Sequence, residues 1–206
     1  MSHKLKIILF SRMGLAHLFG GLDNFLKDKY EIIHVAYSDV EERILYDRYK
    51  IKSHYNLVRD IGRLQIDKKE EIVRNLDIDF QLNSRFNLNS SIISDRTLEY
   101  LSLDESYLLS AKYYLFWNDI LEVERPQFVF HETTTHMYNH VISMLAAKNN
   151  IIYSGIISCT GNYDNNFRFT EFDGGDSLLL KYYLESATLV KENEDVSRYI
   201  KKVKDK

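Results

Sequence analysis

The chain is poor in the residues that usually punctuate or cross-link a fold. It has 206 residues, one Cys, one Pro, one Trp and eight Gly. A single cysteine, Cys159, excludes an intramolecular disulfide and any multi-cysteine metal or redox site. As a nucleophile it would need a histidine beside it, with His131 on a neighbouring strand the candidate; the plainer reading is a small buried apolar side chain. No run of about 18 apolar residues exists, so no membrane-crossing helix is expected. The apolar run near the start, Ile7 to Phe10, is too short for a signal-peptide core and is followed by no small-residue cleavage site, so the expected setting is cytoplasmic. Charge of one sign is lacking too. The 27 Lys and Arg against 30 Asp and Glu give a net charge of −3, which argues against a protein that lives on phosphate backbones.

What is present suffices for a core: 45% of residues are apolar and 13% aromatic, which excludes wholesale disorder. Lys6–Ser11 (KIILFS) is a continuous apolar run of the length of a strand buried on both faces. Leu15 to Lys29 carries apolar residues at helical spacing, and Glu31–Tyr37 (EIIHVAY) reads as a second strand. Ser38 or Asp39 caps a helix to about Lys50, and Ile51–Val58 follows as a weaker strand. This alternation predicts an α/β fold with a mostly parallel sheet. Farther on, Lys68–Leu76 reads as helix and Asn83–Ser91 as loop. Asp95 to Glu124 reads as one or two helices with a break at Leu103–Glu105, ended by Pro126. Gln127–His131 is a strand, Thr133–Thr135 supplies a cap for helix Met137–Asn149, and Ile151–Ser158 is a further strand. A charged helix, about Asp195 to Val203, closes the chain.

In open α/β sheets the ligand crevice lies beyond the carboxyl ends of the strands, so residues just after each strand are the site candidates. These are Gly14 and His17 after the first strand, Ser38 and Asp39 after the second, His131, Glu132 and Thr133 after the Gln127 strand, and Ser158 to Asn162 after the last. Gly14 is not part of a GxGxxG, so a dinucleotide fingerprint is absent; a tight turn is its simpler reading. His131-Glu132 is the sharpest feature, because one of two adjacent ionisable groups at a strand end should face the crevice and could take a proton from a hydroxyl. The competing reading makes His131 a satisfied core residue and Glu132 a helix cap. Asp95-Arg96 opens a helix in this reading, with Ser94 or Asp95 as N-cap or Arg96 holding a phosphate or carboxylate. Glu132, His136 and His140 are spaced by four, but HETTTH is one residue longer than HExxH and a cap within Thr133–Thr135 would leave Glu132 outside the helix; no metal is expected. Tyr163 to Phe172 interleaves Arg168 with aromatics, which reads as a loop packing on a neighbour; no nucleic-acid partner is expected.

The stretch from Asp95-Arg96 through Trp117-Asn118, and then ERPQFVFHETTTHMYNHVISMLAAKNNIIYSGI, resembles the amino-terminal domain of bacterial capsular and surface-polysaccharide glycosyltransferases of GT-B type. The likeness is one of organisation and spans roughly residues 1–200. It implies a Rossmann-like three-layer sandwich, as in one half of a GT-B fold, with residues 1–206 a single domain of a longer protein. It implies a saccharide acceptor on this half and a nucleotide-sugar donor on a second domain, with no cofactor here and peripheral membrane association left open. On that reading Glu132 or His131, and after them His17, would be the base toward the acceptor hydroxyl, and Gly14, Asp95, Arg96, Thr133, Ser158 and Asn162 would line the cleft. The alternatives from other classes are a Rossmann-like nucleotide- or sugar-binding module without chemistry, and a structural subunit packing on a partner chain.

Overall fold

The computed structural model describes residues 4–158 and 167–170. Six strands, β1 (Leu5–Ser11), β2 (Tyr30–Ala36), β3 (Tyr55–Asn56), β4 (Phe128–Glu132), β5 (Ile152–Ser158) and β6 (Phe167–Thr170), form one sheet in the order β3-β2-β1-β4-β5-β6. The first five are mutually parallel, and β6 runs antiparallel to β5. Helices α1 (Leu15–Leu26) and α2 (Asp39–Tyr49) connect the early strands. Helices α3 (Leu57–Arg63), α4 (Lys69–Asn83), α5 (Leu88–Ser94) and α6 (Leu103–Glu124) fill the long crossover from β3 to β4, and α7 (Met137–Lys148) links β4 to β5. The architecture is a Rossmann-like three-layer α/β sandwich.

The apolar runs are continuous because both faces of the sheet are covered. Side chains alternate along each strand. From β1, Ile8 and Phe10 join Ile33, Val35 and Val129 in the core shared with α3–α7, while Ile7 and Leu9 join Phe128, Phe130 and Ile156 on the α1 face. Trp117 of α6 lies fully buried with its ring 4.9 Å from that of Phe10. Burying each such aromatic contributes about 2 kcal/mol.

Several boundaries differ from expectation. The third strand is reduced to Tyr55–Asn56 because the Asn56 side chain accepts a hydrogen bond from the Arg59 amide (3.0 Å) and starts α3. The second half of the stretch expected as loop begins α5, capped by Asn87 through the Ser90 amide at 2.8 Å. Asp95 does not open a helix; it ends α5. The expected break at Leu103–Glu105 is the first turn of α6, where Ser102 and Glu105 form a reciprocal capping box. The cap of α7 is not Thr133–Thr135 but His136. Within Tyr163–Phe172, residues 167–170 are strand β6 rather than loop. Asn162, Cys159 and the Asp195–Val203 helix lie outside the described residues.

Candidate functional site at the carboxyl ends of β1 and β4

Strand order reverses between β1 and β4: the chain steps outward from β1 to β2 and β3, then returns to β4 on the other side. The loops leaving β1 and β4 therefore diverge, the point at which open α/β sheets place their ligand crevice. Arg12 follows β1 directly and Glu132 is the last residue of β4. Arg12 Nη1 donates to Glu132 Oε1 at 2.8 Å across this gap.

Three rings fix the pair. The Arg12 guanidinium lies 5.4 Å from the centre of the Tyr37 ring and 5.8 Å from that of Tyr138. The Tyr138 hydroxyl donates to the same Glu132 oxygen at 2.8 Å. His131 is fully buried, stacks on Phe10 at 3.9 Å, and donates from Nδ1 to the Phe10 carbonyl at 2.7 Å. That bond turns its buried Nε2 toward Glu132 Oε1, 3.5 Å away. Glu132, with 26% of its side chain exposed against none for His131, is the member of the pair that meets solvent. Among the described residues the Arg12 and Tyr138 hydrogen bonds both end on Oε1, with His131 Nε2 3.5 Å from the same oxygen, and no side chain bonds to Oε2.

The electrostatics follow from this packing. Burial alone would raise the Glu132 carboxyl, but the His131 hydrogen bond and charge, the Arg12 charge and the Tyr138 hydroxyl outweigh it and hold it well below the ordinary carboxylate range. Tyr138 is pushed far up by burial and by the Glu132 charge, so it remains a donor. Asp95 is buried, and hydrogen bonds from His136, the Met137 amide and Thr97 overcome that burial and hold it at about 2.

The remaining expected residues are distributed. Thr133 is buried beside Glu132 and its carbonyl accepts from the Asn139 amide group at 3.0 Å. Asp95 reaches the start of α7, where Met137 N–H donates to its Oδ2 at 2.6 Å. Arg96 is exposed. Gly14 is the exposed N-cap of α1, and its φ of −60° demands no glycine. His17 is exposed on α1 with its Nδ1 3.4 Å from the Tyr49 hydroxyl. Ser158 ends β5 opposite Phe167 of β6. The spaced histidines do not join Glu132 in a metal site: His136 Nδ1 lies 3.2 Å from Asp95, and His140 is buried against the Phe86 ring. No cluster of three or more metal-binding side chains exists among the described residues.

Arg12, Tyr37 and Tyr138 were not singled out by the sequence. The place of Arg12 immediately after the first buried strand is the same signal that marked Gly14 and His17. A hollow of about 1010 Å³ opens at the opposite edge, where Leu5, Pro126, Phe128 and Ile152 mark the amino ends of the strands, far from these groups. No helix among the described residues is long and apolar enough to cross a membrane. The chain matches no protein-family model, and no curated protein matches it in sequence.

Proposed function

We propose that this chain is the acceptor-side half of a glycosyltransferase of capsule or surface-polysaccharide biosynthesis, with the acceptor hydroxyl received by Glu132 over the carboxyl ends of β1 and β4. The observation that carries the reading is the Arg12–Glu132–Tyr138 cluster at the switch point of a Rossmann-like sheet. Oε1 of Glu132 is anchored by the protein, and Oε2 accepts the acceptor hydroxyl. As the hydroxyl oxygen bonds to the donor's anomeric carbon, the bond from that carbon to the leaving phosphate breaks and the proton passes to Glu132. Arg12 and Tyr138 position the carboxylate. The nucleotide-sugar donor belongs to the second domain that the resemblance implies, and polysaccharide as the product class rests on that resemblance.

A second reading has its own support. A carboxylate held this low by His131, Arg12 and Tyr138 is a weak base. That favours a binding module in which Glu132 grips a sugar hydroxyl without chemistry. The deciding experiment expresses the whole reading frame and assays transfer and hydrolysis over a panel of nucleotide sugars. Turnover reduced about 100-fold or more in Glu132→Gln, with folding and acceptor binding intact, supports the transferase. Saturable saccharide binding without turnover supports the module.

A further inference from the structure

Two backbone N–H groups at this edge are those a Rossmann-like fold offers to an anionic ligand: one in the loop after β1, one at the amino end of the helix after β4. Both are already taken by carboxylates of the chain itself. Met13 N–H donates to Glu41 Oε1 at 2.9 Å, and the other Glu41 oxygen accepts the Ser38 amide at 3.0 Å and the Ser38 hydroxyl at 2.5 Å. Met137 N–H donates to Asp95 Oδ2 at 2.6 Å. Asp95 Oδ1 accepts the Thr97 amide and hydroxyl, both at 2.7 Å, with His136 Nδ1 at 3.2 Å. Helix amide, loop amide, hydroxyl and imidazole around two oxygens form the donor set that would receive a phosphate.

These carboxylates come from distant elements. Glu41 lies 28 residues from Met13, and Asp95 lies 42 residues from Met137. The residues in the local capping positions, Gly14 before α1 and His136 before α7, make no side-chain cap bond. Glu41 and Asp95 are both buried. Together with Glu132 they set three carboxylates against the single guanidinium of Arg12 around the half-buried Tyr37. A phosphate entering here would meet like charge at low dielectric, with the Met13 and Met137 amides already occupied. A hydroxyl meets neither penalty.

We propose that Asp95 and Glu41 are built-in anions that close this half of the crevice to phosphate and leave Glu132 Oε2 to an uncharged hydroxyl. The hydroxyl as ligand rests on the transferase reading; the exclusion of phosphate does not. The test titrates the full chain with inorganic phosphate at constant ionic strength, following the Met13 and Met137 amide resonances and the melting temperature. In the unsubstituted protein both amides and the melting temperature are expected to stay put. Asp95→Gly vacates the seat at α7 and is expected to bind phosphate at least tenfold more tightly, with a shift at Met137 and a raised melting temperature. Asp95→Asn, which fills the seat but removes its charge, is expected to bind phosphate more tightly than the parent and less tightly than Asp95→Gly; a folded Asp95→Asn that matches the parent would mean that charge plays no part in the exclusion. Saturable phosphate shifts at Met13 or Met137 in the unsubstituted protein overturn the proposal, as does a folded Asp95→Gly that ignores phosphate. Where Asp95→Gly does not fold, the unsubstituted titration decides alone. No readout involves sugar transfer, so exclusion of phosphate without turnover by the whole reading frame would sink the transferase and leave this inference standing.

Discussion

Arg12 and Glu132 are 120 residues apart in sequence and share one hydrogen-bonded ion pair at 2.8 Å, spanning the gap between the central strands β1 and β4. The pair ties together the two loops that diverge at the switch point. With His131 and Tyr138, Arg12 also keeps the carboxylate that meets solvent there in its charged form. Stability and site chemistry are therefore coupled in the same two side chains.

Removing both partners should cost less than the sum of removing each alone. Arg12→Met leaves a half-buried carboxylate facing the Tyr37 and Tyr138 rings, with an expected loss of about 1–3 kcal/mol and a Glu132 pKa that rises. Glu132→Gln keeps an acceptor for Tyr138 but strands the guanidinium. The double variant is expected to lie about 0.5–3 kcal/mol closer to the parent than the sum of the two. Urea unfolding of all four proteins measures this; additivity within about 0.5 kcal/mol would mean the pair contributes nothing jointly.

Asp95 caps α7 from another part of the chain, so its loss should weaken that helix and not α5, which it ends. Asp95→Ala is expected to destabilise by about 1–2 kcal/mol. The sign with pH follows from its depressed pKa, about 2 against an ordinary 3.8. The stability it supplies is complete above about pH 4 and is lost as pH falls through about 2. The parent should therefore lose stability across that window, and Asp95→Ala should lose less. Equal acid losses in the two proteins, followed by urea midpoints, would refute the assignment.

The sheet was legible because each strand buried on both faces leaves an unbroken apolar run, as in KIILFS, EIIHVAY and QFVFH. Glu132 and His131 were legible as a pair at a strand end, and the alternation of the strand explains why only one reaches solvent. The short elements α3 and α5 were not legible: seven residues give barely two turns, too few for a periodic signal, and tertiary packing of Leu57, Ile61, Leu88 and Ile92 decides them. Asp95 looked like a local helix cap because Asp commonly is one, whereas the helix it serves begins 42 residues later. Arg12 and Tyr138 escaped for the same reason, since what brings them together is the crossover from β3 to β4.

Buried histidine should set a second, milder acid limb. Burial pushes His140 down to about 4, with the Asp95 charge opposing and His136 adding to the shift. Its folded pKa is below its unfolded value of 6.5, so the unfolded chain takes up the proton first. Stability is then complete above about pH 6.5 and declines toward pH 4 by about 1–3 kcal/mol. His34, also lowered by burial, adds in the same direction despite its 2.9 Å contact with Asp23. His140→Gln should flatten the slope between pH 6.5 and 4 without touching the lower limb assigned to Asp95. Melting temperatures across that range check it, and an unchanged slope would assign the limb elsewhere.

The packing of α1 on α2 gives a prediction in which local propensity and tertiary contact disagree. Gly20 lies in the middle of α1, where alanine would ordinarily improve the helix by about 1 kcal/mol. A Cβ there would run into the ring of Tyr49, the last residue of α2, at ring atoms close to the Tyr49 backbone rather than at a flexible tip. The ring cannot step aside without moving α2, whose capping box at Ser38 and Glu41 also holds the Met13 amide. Overpacking of this kind costs about 1–3 kcal/mol, so the contact outweighs the propensity and Gly20→Ala should destabilise. Gly21, whose Cβ meets open space, is the internal control: Gly21→Ala should stabilise by up to about 1 kcal/mol. Replacing Tyr49 by Leu in the Gly20→Ala background should recover part of the loss by removing the obstructing ring. Urea midpoints that rise for both glycine variants would mean that α1 and α2 are not packed as closely as the structure has them.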